Sequence, residues 1–176
     1  MVFEMLEIIL GFIFGVFASW VFWRYLLFLK PKLEVPTSIK EIINKDGNKE
    51  YIYRTKNLGK RQVVDISIKA TICELTNIDP DHPLSLVHKL KIDLDNADVL
   101  CYKNKRNDPW GLPNYRGFHI QQIDENTNES INILQLLSNK KRRLIITLRS
   151  SDSISRTTVI TRHTYTQDNI EIYNKL

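Results

Sequence analysis

The sequence predicts a mainly β protein: a single amino-terminal transmembrane helix followed by an antiparallel β-sandwich or barrel-like cytoplasmic domain. Three features predict it: an uncharged apolar run over residues 8–23, apolar–polar alternation recurring in the remainder, and turn-forming residues between the alternating runs. The 176 residues allow one modest domain plus an appendage. The expected division is an anchor over residues 1–30 and a β-rich domain over residues 33–176. A mean hydropathy of −0.26 excludes a polytopic membrane protein, since the apolar surplus fills one span of ~20 residues. Two cysteines, Cys73 and Cys101, exclude a disulfide scaffold and a self-contained cysteine zinc site.

Arg24 is the first charge after Glu7 and is followed by Lys30 and Lys32. A helix over residues 8–29 is about 33 Å long, enough to cross a bilayer core. The start is acidic (Glu4, Glu7) and no small-residue cleavage pattern follows, unlike a signal peptide. Trp20, Trp23 and Tyr25 suit the membrane–water interface, with Arg24, Lys30 and Lys32 just beyond. By the positive-inside rule the long carboxy-terminal part is cytoplasmic and the amino terminus lies outside. Both cysteines are then expected as free thiols.

At 100° per residue, Glu4, Glu7, Gly11, Gly15, Ala18 and Ser19 share one stripe. Gly11 and Gly15 form a G-x-x-x-G, which lets helix backbones approach closely. The stripe is read either as chance on a simple tether or as the packing face of a homo-oligomer, with the acidic pair at its outer end.

In the soluble part, 22 Lys and Arg stand against 18 Asp and Glu, spread rather than massed. Tyr51-Ile52-Tyr53 leads into Asn57-Leu58-Gly59-Lys60, read as a hairpin turn with glycine at a positive φ. Val64, Ile66, Ile68, Ala70 and Ile72 then alternate with polar residues, giving a long strand with one apolar face. Leu86, Leu90, Ile92 and Leu94 continue the pattern beyond a proline-rich loop at residues 79–83. Residues 107–113, holding Trp110, are turn chemistry, and 118–123 are a short strand. Residues 131–137 fit helix or strand, whereas 144–148 and 157–161 are β-branched and strand-like. Residues 167–176 are expected to add a last strand or a short helix. Six to eight strands in ~140 residues suggest a sandwich or barrel.

Chemistry is sparse. The histidines His82, His88, His119 and His163 have no metal-binding spacing, so no metal or other cofactor and no enzymatic activity is expected. Lys140-Lys141-Arg142-Arg143 reads as a solvated hairpin tip or as a contact to anionic headgroups or RNA phosphate. Direct nucleic-acid binding is not expected, because no aromatics flank this run. Arg156 and His163 are separated by six residues, the R-x4–6-H spacing of HEPN ribonucleases. HEPN domains are helical, however, and Thr-Thr-Val-Ile-Thr between them favours a strand, in which 156 and 163 point to opposite faces.

A small protein with one amino-terminal span, a cytoplasmic β-rich domain and a degenerate Arg156…His163 element resembles the membrane accessory proteins of type VI-B CRISPR systems. The resemblance implies a homo-oligomeric ring, octameric in the family, forming an inner-membrane pore. It also implies a functional partner, an RNA-guided RNA nuclease, with which the pore depolarises the membrane during phage defence. The architecture is similar as well to other single-span defence effectors with immunoglobulin-like domains. It is similar, too, to the cytoplasmic sandwich of inward-rectifier channels, though without their pore loop. The competing expectation is a membrane-tethered β scaffold that binds a protein partner and conducts no ions.

Overall fold

The computed structural model describes residues 2–28, 30–43, 47–76, 84–93, 99–100 and 115–172. The 79–83 loop with His82, Leu94, Asp95, Asp98, Cys101 and the 107–113 segment with Trp110 lie outside the described residues. Helix α1 spans Val2–Phe28. The strands are β1 (Leu33–Glu34), β2 (Ile39–Ile43), β3 (Lys49–Asn57), β4 (Val63–Leu75) and β5 (Leu84–Asp93). They continue with β6 (Val99–Leu100) and β7 (Tyr115–Asp124), helix α2 (Ile133–Leu137), β8 (Arg142–Asp152), β9 (Thr158–Tyr165) and β10 (Ile170–Ile172).

Among the described residues all ten strands belong to one sheet in the order β10-β2-β3-β7-β5-β4-β8-β9, with β1 beside β3 and β6 beside β4. Of the two predicted forms the barrel-like one is realised: the sheet curls into an open half-barrel. Pairing is antiparallel except between β10 and β2. Alternation explains the curl's interior, since Tyr51 and Tyr53 of β3, Phe118 and Ile120 of β7, and Ile146 and Leu148 of β8 all face inward and are buried. Each of the Phe, Ile and Leu side chains among them contributes about 1.5–3 kcal/mol on burial.

Helix α2 lays Ile133 and Leu137 into this core. The ambiguous 131–137 segment is helical because Asn132 caps it, accepting a hydrogen bond from the Gln135 amide at 3.0 Å. The tail forms both expected elements, a 3-10 turn over Gln167–Asn169 and then β10.

The predicted hairpin between β3 and β4 is not formed: β7 and β5 stand between them in the sheet. Residues 58–62 instead arch across the end of the curled sheet, spanning three strand spacings, about 14 Å. The turn residues are consumed locally. The Asn57 carboxamide donates to the Arg61 carbonyl at 2.6 Å and accepts from the Gly59 amide at 2.8 Å.

Gly59 does not adopt the expected positive φ; among the described glycines only Gly47 does. Its role is close approach: a Cβ there would lie 3.1 Å from Asn57 Oδ1 and 3.7 Å from the Lys32 amide nitrogen. Strand β4 departs from strict alternation at Asp65. There a bulge sets two residues against one of β8, and Asp65 has φ 51°. The bulge turns Val63, rather than Val64, inward.

Candidate functional site

Helix α1 has one property that bears on its environment. Residues Met5–Leu26 are long and apolar enough to cross a membrane, and no part of the described β-domain covers them. A helix apolar on all sides requires lipid or other helices around it. Gly11 and Gly15 keep an open surface, with nothing within 4 Å of where a Cβ would stand. Ser19 returns its hydroxyl to the Gly15 carbonyl at 2.8 Å, so the one hydroxyl of the stripe is satisfied within the helix. Ala18 and Glu7 are exposed, and Glu4 is at the amino-terminal end of α1. Near the other end Trp20 stacks on Phe17, ring centroids 6.1 Å apart, and Arg24 lies 5.6 Å over the Trp20 ring. This places an aromatic–cation pair where an interface is expected. Trp23, Lys30 and Lys32 are exposed beside it.

The span meets the sheet at one end. The Leu58 amide donates to the Lys32 carbonyl at 2.8 Å, and β1 pairs with the end of β3, Glu34 opposite Lys56. Arg61 in the arch donates to the Tyr25 hydroxyl at 3.4 Å and lies 3.7 Å from the buried Asp152 carboxylate. Asp152 in turn orders the β8–β9 turn, accepting from the Ile154 and Ser155 amides at 3.0 and 2.8 Å. Arg61 therefore links the helix, the arch and this turn.

On the outer face near the same end lies an open groove of about 740 Å³, formed by β1, β2, β3, the start of β7 and the 35–38 segment. Because strand side chains alternate, Arg54 and Lys56 of β3 point outward while Tyr53 and Thr55 are buried. Tyr115 stands opposite Lys56 and Gly117 opposite Arg54. A Cβ at Gly117 would already lie 3.4 Å from Ile52 Cγ2, and the Arg54 guanidinium lies 6.0 Å from the Tyr115 ring. Lys40 of β2 and Glu34 of β1 complete the charged lining. Composition and motif scanning missed this groove. The one signal was the i, i+2 pair Arg54 and Lys56 on a strand whose other face is apolar.

The remaining candidates are separate. Arg156 sits in the β8–β9 turn with φ 57° and an exposed contact of 3.7 Å to Asp65. His163 is well along β9 opposite Ile146. Thr158 to His163 alone covers about 17 Å of strand, so within one chain Arg156 and His163 do not meet. Lys140 and Lys141 join α2 to β8 rather than forming a hairpin tip, and Arg142 pairs with Glu74 at 2.9 Å. They stand at the end of the sheet opposite the span, because Leu75, the far end of β4, donates its amide to the Lys141 carbonyl at 2.9 Å.

His88 contacts Asp124 at 2.6 Å and His119 contacts Glu50 at 3.0 Å. Among the described residues, no group of three or more His, Cys, Asp or Glu side chains is placed to hold a metal. Cys73 is a buried free thiol. No family model matches the chain, and no curated protein matches it in sequence.

Proposed function

We propose that the chain is a single-pass inner-membrane effector of antiphage defence, with its amino terminus outside and its β-domain cytoplasmic. It works without catalysis, as a homo-oligomer whose helices associate through the Gly11–Gly15 stripe and open the membrane in concert with an RNA-guided RNA nuclease. The observation that supports this reading is the uncovered α1: apolar around its circumference, with a small-residue strip to which nothing in the chain is packed. Small residues at such a strip are what close helix–helix approach in lipid uses. The cationic excess of Arg24, Lys30 and Lys32 after the span supports the orientation. The test is the protein mass of the detergent-solubilised particle. Five or more copies support a ring, whereas a stable monomer or dimer removes the pore.

A second reading is a tethered β scaffold that binds a partner and conducts nothing. It is favoured by the span itself. From residue 8 to residue 23 the only hydroxyl side chain is Ser19, and that hydroxyl is turned back onto Gly15 rather than offered to a water-filled lumen. Membrane potential during expression separates the two, since a pore collapses it and a tether leaves it intact.

A further inference from the structure

The geometry points to an anionic phospholipid headgroup as the ligand of the groove between β1, β2, β3 and β7. The inference rests on Met5–Leu26 being a span, and it adds to that reading a specific lipid-binding site on the domain. Three cationic side chains, Lys40, Arg54 and Lys56, line the groove against one carboxylate, Glu34. Tyr115 supplies an aromatic wall with a phenol, and Ser38 adds a hydroxyl on the rim. A volume of about 740 Å³ lies within the range of small-ligand sites.

Position selects the lipid over a soluble anion. Glu34, opposite Lys56, is six residues beyond the last residue of α1, at most about 20 Å of extended chain. The adjoining arch is held to the span's own linker and side chain, through Leu58 to Lys32 and through Arg61 to Tyr25. The groove's lower end, Lys56 and Tyr115, therefore faces the layer where headgroups lie. A phosphodiester there meets Lys56 first, with Arg54 two residues further along the same strand face. Each cation near an anionic bilayer is worth about fivefold in affinity. Arg54 is already oriented against Tyr115, so its planar fork is presented rather than free to roam.

The experiment uses the full chain in a neutral detergent, with thermal unfolding followed as phosphatidylglycerol, phosphatidylcholine or water-soluble glycerol phosphate is added. Phosphatidylglycerol is expected to raise Tm and phosphatidylcholine to leave it unchanged. The double variant Arg54→Gln/Lys56→Gln is expected to weaken the lipid's apparent affinity by about twenty-five-fold. The single variant Lys56→Gln gives an intermediate loss. Lys140→Gln/Lys141→Gln, at the far end of the sheet, should behave as the parent.

An equal phosphatidylglycerol response in the double variant and the parent would overturn the site. So would an equal response to glycerol phosphate at matched concentration, which would assign the groove to a soluble anion. Resistance of the chain to alkaline extraction from membranes is scored separately, so failure of the span and failure of the groove give different results.

Discussion

His88 of β5 and Asp124 at the end of β7 face each other with Nδ1 2.6 Å from Oδ2. Asp124 is buried, and its other oxygen accepts from the Asn126 amide at 2.8 Å. The contact from His88, then the backbone amide, hold the Asp124 carboxyl below the usual carboxylate range. A carboxylate whose pKa is lowered on folding contributes stability that is complete above its unfolded value, near pH 4. That contribution disappears as pH falls through the folded value. Asp124→Asn is expected to cost about 1–3 kcal/mol at pH 7 and to flatten the stability loss below pH 4. Denaturant unfolding at pH 7 and pH 3 checks both.

Tyr165 and Tyr53 meet edge to face, ring centroids 6.3 Å apart, yet their hydroxyls differ. Tyr165 donates to the Pro36 carbonyl at 2.7 Å, tying the end of β9 to the segment before β2. The Tyr53 hydroxyl is buried without a hydrogen-bond partner. Tyr165→Phe is expected to cost about 1 kcal/mol, and Tyr53→Phe to be neutral or stabilising. Burial pushes the Tyr165 phenol up to about 12. Its contribution is therefore intact below pH 10 and lost as pH rises from there through 12. A pair of alkaline melts, parent against Tyr165→Phe, measures this.

Gly11→Ile and Gly15→Ile are expected to reduce the mass of the solubilised particle without lowering its helix content. A Cβ at either position has no side chain or other element within 4 Å, and isoleucine is a better helix former than glycine. Particle mass and circular dichroism together check the pair. Unchanged mass in both variants removes the stripe from the assembly.

Asp65 and Arg156 both occupy left-handed backbone, and their exposed side chains approach to 3.7 Å. Exposed pairs contribute little, so Arg156→Ala is expected to change stability by less than about 1 kcal/mol. Asp65→Val puts a β-branched residue at φ 51° and should cost about 1–3 kcal/mol, while Asp65→Gly is tolerated. Chemical denaturation of the three variants ranks them.

The apolar helix α1, the long β4 strand and the β-branched strands β8 and β9 were legible because each is declared by a local pattern. One apolar face every second residue, or no charge for sixteen, needs no knowledge of neighbours. The false hairpin at Asn57–Lys60 shows where locality ends. Asn57 and Gly59 do form turn chemistry, but whether the strands on either side pair depends on β7 and β5, which come later in the chain and insert between them. The groove failed to appear for the same reason. Lys40, Arg54 and Tyr115 lie on three strands whose adjacency is set by sheet order. Arg156 and His163 present the converse, a spacing visible in the sequence that the turn and strand geometry keep apart.

Gly59 has a consequence beyond the turn it occupies. A Cβ there would crowd Asn57 Oδ1 at 3.1 Å, whereas the Lys32 amide nitrogen, in the linker between α1 and the sheet, would stand at an ordinary 3.7 Å. What a side chain at position 59 would disturb is the Asn57 carboxamide, the group that ties the arch to Arg61 and to the Gly59 amide. Loosening that carboxamide would release the arch from the end of the sheet, together with the contacts it makes to Lys32 and Tyr25.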